Sequence, residues 1–240
     1  MQLVANQQLV KNRARLGTAF HLGALAVFAV GLVLSLRLDP TAQLPLAAWA
    51  AIAVGMALYT LGQTQLRRWG PRHRQEEQIG AAIRGLDDRY KLYAFLATSL
   101  PDYILVSPAG VHVLVSRGDT GVVSCERDRW RRSGGSRLFQ LLEPGLGNPT
   151  ADAQKQVAKV RAVLANAGVD VPLSAIIVFT SPKAQLRIEG SSTPVTRLRE
   201  LKDVLRRLAG RGAGVALSSA RVREVQALFD RRMQQAHPWR

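Results

Sequence analysis

Two long apolar stretches near the N-terminus dominate the hydropathy pattern of the chain. Residues 16–36 and 44–62 contain no charged side chain, and seven residues separate them. At a rise of about 1.5 Å per residue, a helix of roughly 20 residues crosses the hydrocarbon core of a bilayer. The pattern therefore predicts a two-span transmembrane hairpin over residues 16–66. A cleaved signal peptide and a buried pair of soluble helices are the two alternatives for these stretches.

Basic residues lie at the outer ends of the two spans. Three of them fall within residues 11–15 and four more within 67–74, whereas the connecting loop carries Arg37 alone. Flanking segments rich in Lys and Arg stay in the cytoplasm. We therefore expect residues 1–15 to form a basic cytoplasmic tail and residues 67–75 to form a basic linker against the lipid bilayer. The remainder of the chain is then cytoplasmic as well.

Beyond the linker, the pattern alternates between helical and strand periodicity. Helical spacing of apolar residues predicts helices over 76–86 and 151–167, within 193–208, and over 220–235. Alternating or continuous apolar runs predict strands over residues 90–97, 102–106, 111–116, 122–125, 173–180 and 214–217. This mixed order predicts an α/β (α+β) fold with a mixed sheet. We expect one domain over residues 76–190, completed by the helices and short strand of residues 191–240.

Charge is segregated from the apolar stretches. The 240 residues carry a net charge of +16, yet the mean hydropathy is zero. Residues 67–240 hold 29 of the 33 basic and 16 of the 17 acidic side chains, a net charge of +13. Such an excess is typical of proteins that contact nucleic acid or anionic lipid. The single Cys excludes an internal disulfide framework and a Cys-based zinc site.

An ordered set of residues in the domain resembles a known family. The sequence has no phosphate-binding GxxxxGK[ST] loop, no GxSxG and no HExxH motif. It does contain, in order, Glu76, Asp102, Pro108-Ala109-Gly110, Gly121, Trp130, Asn148-Pro149 and Gln154. Over about residues 75–190 this order resembles the nuclease-related domain (NERD) family of the PD-(D/E)XK nuclease-like superfamily. The resemblance implies a restriction-endonuclease-like fold and metal-dependent cleavage of DNA or RNA.

The strand after Gly110 departs from the family pattern. The family carries a Glu-x-Lys pair there, and counting from Gly110 places its Glu at Val115 and its Lys at Arg117. Residues two apart on a strand share a face, and the missing carboxylate is the type of ligand that a divalent ion needs. A guanidinium binds phosphate but is a poor base. The resemblance thus implies a degenerate site with the candidates Glu76, Asp102, Arg117 and Gln154.

Metal binding depends on whether this site is active. Asp102 is the expected ligand of Mg²⁺ or Mn²⁺ if the site binds a metal at all, and no cofactor is expected otherwise. An active metal-dependent nuclease remains an alternative if Asp119 or Glu126 supplies a migrated carboxylate. The alternative is a purely structural role, in which Asp102 initiates a strand and Glu76 stabilises the first turn of a helix.

An arginine-rich segment follows the third strand of the domain. It mixes basic and aromatic side chains as nucleic-acid surfaces do, and its candidates are Arg127, Arg129, Trp130, Arg131 and Arg132. A solvated hairpin loop whose Trp packs on the domain fits the same pattern. The sequence therefore favours a membrane-anchored nuclease-related protein that binds DNA or RNA, or acts as a scaffold, without cleavage. An interaction protein whose charge contacts lipid alone is a further alternative.

Overall fold

The structure, a computed structural model, describes residues 1–36, 46–70, 75–133, 145–211 and 216–235. Its chain divides into two compact units. One unit comprises residues 1–6 and 75–240, and the other comprises residues 7–74. Residues 71–74 of the predicted basic linker (67–75) and residues 214–215 of the predicted strand over 214–217 lie outside the described residues.

The smaller unit consists of two long helices, α1 (Gln7–Leu36) and α2 (Leu46–Trp69). The two helices pack closely where Gly55 of α2 faces Phe28 of α1. A Cβ atom added to Gly55 would lie 2.5 Å from the ring of Phe28, so the contact depends on a small residue there. Large apolar side chains on both helices are exposed, including Leu22, Leu25, Trp49 and Met56. Among the described residues, only the stretch Gln7–Val33 is long and apolar enough, by length and composition, to cross a membrane.

The larger unit is a mixed α/β domain. In chain order it contains β1 (Gln2–Ala5), α3 (Glu76–Ala82), β2 (Lys91–Ala94), β3 (Tyr103–Ser107), β4 (Gly110–Arg117), β5 (Gly121–Glu126), β6 (Arg129–Ser133), α4 (Pro149–Asn166), β7 (Leu173–Phe179), β8 (Ala184–Glu189), β9 (Val195–Arg197), α5 (Leu201–Arg211) and α6 (Ser219–Gln235). A 3₁₀ turn over Leu198–Glu200 joins β9 to α5. The predicted α/β class with a mixed sheet is confirmed.

The strands form two sheets. The larger sheet has the order β1-β2-β3-β4-β7-β9, in which β2, β3 and β4 are antiparallel neighbours and β4, β7 and β9 run parallel. One face carries Val113 and Ile177, and it shares its core with Val160 of α4 and Phe229 of α6. Strands β6, β5 and β8 form the smaller sheet. The parallel strands β4, β7 and β9 therefore bring their carboxyl ends to one edge.

Several elements differ from the sequence-based expectation. Residues 1–15 do not form a tail, because β1 joins the edge of the large sheet and α1 begins at Gln7. The arginine-rich segment is not a single loop: Arg127 lies in a two-residue turn, and Arg129–Ser133 form strand β6, which is paired with β5. Strand β8 was not predicted, and β9 precedes α5 where one helix was expected. Residues 216–217 lie outside any strand.

Candidate functional site

The predicted site lies where β3 begins and β4 ends. Asp102 immediately precedes β3, and the antiparallel register pairs Ile104 with Val113. Continuing this register places Asp102 opposite Val115 on the same face of the sheet. Val115 is only 4% exposed and belongs to the hydrophobic core. An apolar side chain thus fills the position at which the resembled family keeps its second acid.

Arg117 ends β4 and is held by a group of charged side chains. Its Nε lies 3.0 Å from Oδ2 of Asp119, and its Nη1 lies 3.7 Å from Oδ2 of Asp152 on α4. Its Nη2 also donates a hydrogen bond to the carbonyl of Leu146. Arg132 approaches the other oxygen of Asp119 at 3.6 Å. We call Arg117, Asp119, Arg132 and Asp152 the Arg117 cluster.

The Arg117 cluster is balanced in charge and largely shielded from solvent. Three of its side chains, those of Arg117, Asp119 and Arg132, are between 13% and 20% exposed. Two guanidinium groups and two carboxylates compensate one another, so each carboxylate already has a cationic partner. A divalent cation would have to displace these partners and would be repelled by both guanidinium groups. The residues present therefore do not fit Mg²⁺ or Mn²⁺ at this position.

Other parts of the described chain offer no alternative metal centre. Within the residues that the structure describes, no group of three or more His, Cys, Asp or Glu side chains is arranged to hold a metal ion. Glu126 is exposed at the end of β5, five residues beyond Gly121. At about 3.4 Å per residue, that distance is roughly 17 Å along the strand. Of Asp119 and Glu126, the two candidates for a migrated carboxylate, Asp119 is therefore the one that reaches Arg117.

The two helical candidates are placed differently. Glu76 opens α3 and is buried, and the preceding Gln75 donates its backbone N–H to the Tyr103 hydroxyl at 3.0 Å. Gln75 also accepts a hydrogen bond from Ser116, whose side chain leaves β4 on the face opposite to that of Arg117. The helix of Glu76 therefore lies near the start of β3, across the sheet from the Arg117 cluster.

Gln154 does not take part in this arrangement. Its side chain is exposed on α4, whereas Asp152 is the α4 residue that approaches Arg117. Sequence reasoning missed Asp152, although an acid in the first turn after the Asn148 cap is a recognisable signal. The structure thus brings Asp102, Val115 and Arg117 to one edge of the sheet and leaves Gln154 outside.

The turn between β5 and β6 ties the arginine-rich hairpin to α4. Arg127 and Asp128 have φ values of 48° and 62°, as a two-residue hairpin turn of type I′ requires. Oδ1 of Asp128 accepts hydrogen bonds from the Thr150 hydroxyl at 2.9 Å and the Ser192 backbone N–H at 3.0 Å. The Ser192 hydrogen bonds, foremost that of the backbone N–H, lower the pKa of the Asp128 carboxyl.

Trp130 packs on the domain instead of facing solvent. Its Nε1 donates a hydrogen bond of 2.9 Å to the Thr150 hydroxyl, and its ring stacks on Phe179 with 6.2 Å between centroids. Arg132, two residues later, points the same way and joins the Arg117 cluster. Neither residue is placed to stack on a base or to contact phosphate. For Trp130, the structure favours the alternative of a hairpin whose Trp packs on the domain.

The other three arginines of the hairpin remain exposed: Arg127, Arg129 and Arg131. In the sheet register, Ser124 on β5 pairs with Arg131 on one side and with Arg187 of β8 on the other. Arg187 is exposed too and was not among the predicted residues. The alternation of polar and apolar residues over 184–189 is the signal that would have identified it. We call Arg127, Arg129, Arg131 and Arg187 the outer sheet face.

A separate polar network is buried in the large sheet. His112 on β4 is bonded through Nε2 to the Ser107 hydroxyl at 2.9 Å and through Nδ1 to the Ser174 hydroxyl at 2.8 Å. Ser107 also donates to the Gly110 carbonyl at 3.1 Å. Burial lowers the pKa of His112 to about 4. The imidazole is therefore neutral at pH 7 and links three strands.

No protein-family model matches the chain, and comparisons with curated proteins and with solved structures found no match either. The resemblance to the NERD family thus rests on the ordered motif residues of the sequence. What the domain can do chemically follows from the Arg117 cluster, the outer sheet face and the buried His112 network.

Proposed function

We propose that the protein is a membrane-anchored, nuclease-related domain that binds nucleic acid without cleaving it. The observation that carries this proposal is the Arg117 cluster, together with the buried Val115 beside Asp102. Val115 occupies the position at which the resembled family has its second acid, and Arg117, which is held in ion pairs, occupies the position of that family's lysine. Position 115 supplies no acid beside Asp102, and the carboxylates of Asp119 and Asp152 are already paired with arginines. A metal that activates water would therefore have no available pair of carboxylates here. The framework is then a scaffold for binding.

The outer sheet face is the proposed contact for nucleic acid. Its four guanidinium groups can each form paired hydrogen bonds to phosphate oxygens. Glu126, which pairs with Arg129 in the sheet register, and Glu189 lie among them, so the net charge of the face is +2. If all four arginines contact phosphates of a duplex, log K should fall against log salt with a slope of about −3 to −4.

The connectivity of the chain supports two membrane crossings. Strand β1 directly precedes α1, and α3 follows α2, while β1 and β2 are neighbours in one sheet. A chain that leaves this sheet through α1 and returns to it must cross a bilayer an even number of times. The second apolar helix, α2, supplies the return crossing. The basic residues at the outer ends of both helices favour the cytoplasm for the domain.

Binding is tested with the full-length protein in detergent micelles and fluorescent DNA and RNA oligonucleotides, single-stranded and duplex. The Arg129→Gln/Arg131→Gln variant should bind more weakly and lower the salt slope by about 2, because two phosphate contacts are lost. Arg223→Gln/Arg231→Gln removes two exposed charges of α6 and is the matched control. Equal losses in both variants would contradict the proposed face. Pelleting with anionic vesicles, without retention of oligonucleotide, would indicate a lipid-only role.

Absence of cleavage is tested separately. The full-length protein is incubated with labelled DNA and RNA in the presence of Mg²⁺ or Mn²⁺, and no cleavage products are expected. Cleavage that the Asp102→Ala variant abolishes would overturn the non-catalytic proposal. The metal-free reaction and a chelator control separate protein activity from contaminating nucleases.

Topology is tested by labelling a single introduced thiol. Cys125 is buried, and burial raises the pKa of its thiol, so the native side chain should not react. A Ser133→Cys variant places a thiol at an exposed position of β6. A membrane-impermeant maleimide should label this thiol only after the cells are lysed. Labelling in intact cells would contradict the cytoplasmic placement.

A further inference from the structure

A cavity of about 530 Å³ lies at the carboxyl ends of the parallel strands β7 and β9. Its walls come from α3, the residues that follow β7, the start of β8 and the 3₁₀ turn after β9. Pockets that hold small organic ligands have volumes of about 300 to 1,000 Å³. Ligands of open α/β sheets bind outside the carboxyl ends of the strands. Size and location therefore both suit a small-molecule site.

The lining combines apolar walls with two cationic side chains. Ala82, Pro182 and Leu198 contribute apolar surface, and Arg197 and Arg199 contribute guanidinium groups. None of the described lining residues is acidic. This combination suits an organic anion that has an apolar body and a negatively charged end.

Both arginines keep free hydrogen-bonding capacity. Glu200 lies outside the lining and approaches Arg199 Nε at 3.3 Å and Arg197 Nη1 at 4.0 Å. Each guanidinium carries five N–H donors, so one carboxylate shared between two of them leaves most donors available. The guanidinium fork matches the geometry of a phosphate group. A phosphate could therefore bind without first displacing Glu200.

Two amide side chains complete the polar part of the lining. Gln78 of α3 and Gln185 of β8 each present a donor and an acceptor, as the edge of a nucleobase does. We propose that this cavity binds a nucleoside monophosphate, with its phosphate on Arg197 and Arg199 and its base against the apolar wall. No residue of the Arg117 cluster lines the cavity, and no residue of the outer sheet face does either. The proposal is thus independent of the proposed nucleic-acid contact.

The proposal is tested by isothermal titration calorimetry of the full-length protein in detergent micelles. AMP is the probe, and adenosine and inorganic phosphate are the partial ligands. AMP should bind at least about tenfold more tightly than either, because each partial ligand reaches only one half of the cavity. No measurable heat with AMP, or equal affinity for adenosine, would overturn the assignment.

Two variants locate the binding. Arg197→Gln/Arg199→Gln should lower the affinity for AMP at least tenfold, and the side chain of Arg199 is 72% exposed, so its loss does not disturb the core. Ala82→Leu fills the cavity and should weaken the binding of AMP and of adenosine alike. This variant tests the site if the double arginine variant fails to fold. Unchanged AMP affinity in a folded variant of either kind would refute the site.

A crossed comparison separates this proposal from the nucleic-acid contact. Arg129→Gln/Arg131→Gln should leave the AMP affinity unchanged, and Arg197→Gln/Arg199→Gln should leave oligonucleotide binding unchanged. If AMP binding fails while oligonucleotide binding persists, only the cavity assignment is wrong. The reverse result would overturn the nucleic-acid contact alone.

Discussion

Acidification is expected to destabilise the domain through His112. The imidazole is 4% exposed, and both of its nitrogens are hydrogen-bonded to serine hydroxyls. Burial lowers its pKa to about 4, whereas the same group titrates near 6.5 in an unfolded chain. Between these two pH values the unfolded chain binds a proton that the folded domain does not. The free energy of unfolding must therefore fall as the pH is lowered through this window.

The magnitude follows from the two pKa values. A pKa that is lower by about 2.5 corresponds to roughly 3 kcal/mol, at about 1.36 kcal/mol for each pH unit. This contribution is complete above pH 6.5 and is lost as the pH falls toward 4. At a pH of about 5, roughly 2 kcal/mol of it is gone. This loss is a large fraction of the free energy of unfolding of a typical domain, which is about 5 to 15 kcal/mol.

Amide hydrogen exchange in β4 and β7 measures this loss in the full-length protein. Protection of these strands, corrected for intrinsic exchange, should fall by about 2 kcal/mol between pH 7.5 and roughly pH 5. His112→Gln should lower protection at pH 7.5, because hydrogen bonds are lost, but should remove this pH dependence. His237→Gln, which eliminates a different imidazole, should retain it. If His112→Gln shows the same fall as the unmodified protein, the imidazole is not its source.

Three further perturbations test the cluster, the hairpin and the helix pair. Asp119→Asn removes the carboxylate that two guanidinium groups share, and it should lower the free energy of unfolding, measured by thermal denaturation, by about 1 to 3 kcal/mol. The control Asp203→Asn, at an exposed position, should have little effect. Arg127→Gly relieves a positive φ of 48° and should raise stability by up to about 1 kcal/mol while weakening oligonucleotide binding. Gly55→Leu would clash with Phe28 and should lower the melting temperature of the helices by far-UV circular dichroism. An unchanged melting temperature would contradict the shared ion pair for Asp119→Asn, the backbone strain for Arg127→Gly, and the helix contact for Gly55→Leu.

Local signals in the sequence were sufficient for the central elements of the domain. The continuous apolar run predicted over 173–180 is β7, and the predicted strands over 102–106 and 111–116 are β3 and β4 within one or two residues. The helix predicted over 151–167 is α4, which begins two residues earlier at Pro149, where the Asn148 side chain caps it by accepting a hydrogen bond from the Ala151 backbone N–H at 3.1 Å. These elements carry their own periodicity or capping residue, so neighbouring residues determine them.

The second strand of the β5–β6 hairpin is a part of the fold that local sequence signals do not predict. Strand β6 alternates between exposed and half-buried positions, but four of its five residues are polar, and no hydrophobic period marks it. Its inward side chain Arg132 is accommodated because Asp119 supplies an opposite charge from another part of the chain. In the site, counting along the strand located Val115 and Arg117, whereas the contact between Asp152 and Arg117 depends on the packing of α4 against β4. Partners distant in sequence decide these positions.

Strand β1 has the largest consequence for how the molecule can be divided. Its four residues pair in parallel with β2, and the backbone N–H of Asn6 donates to the Ala94 carbonyl at 3.1 Å. The helix pair is therefore inserted between two neighbouring strands of one sheet. A fragment that begins after α2 would lose β1 and expose the backbone groups of β2 at the sheet edge, which favours aggregation. A soluble form that preserves the sheet has to retain residues 1–6 and join them to residue 75.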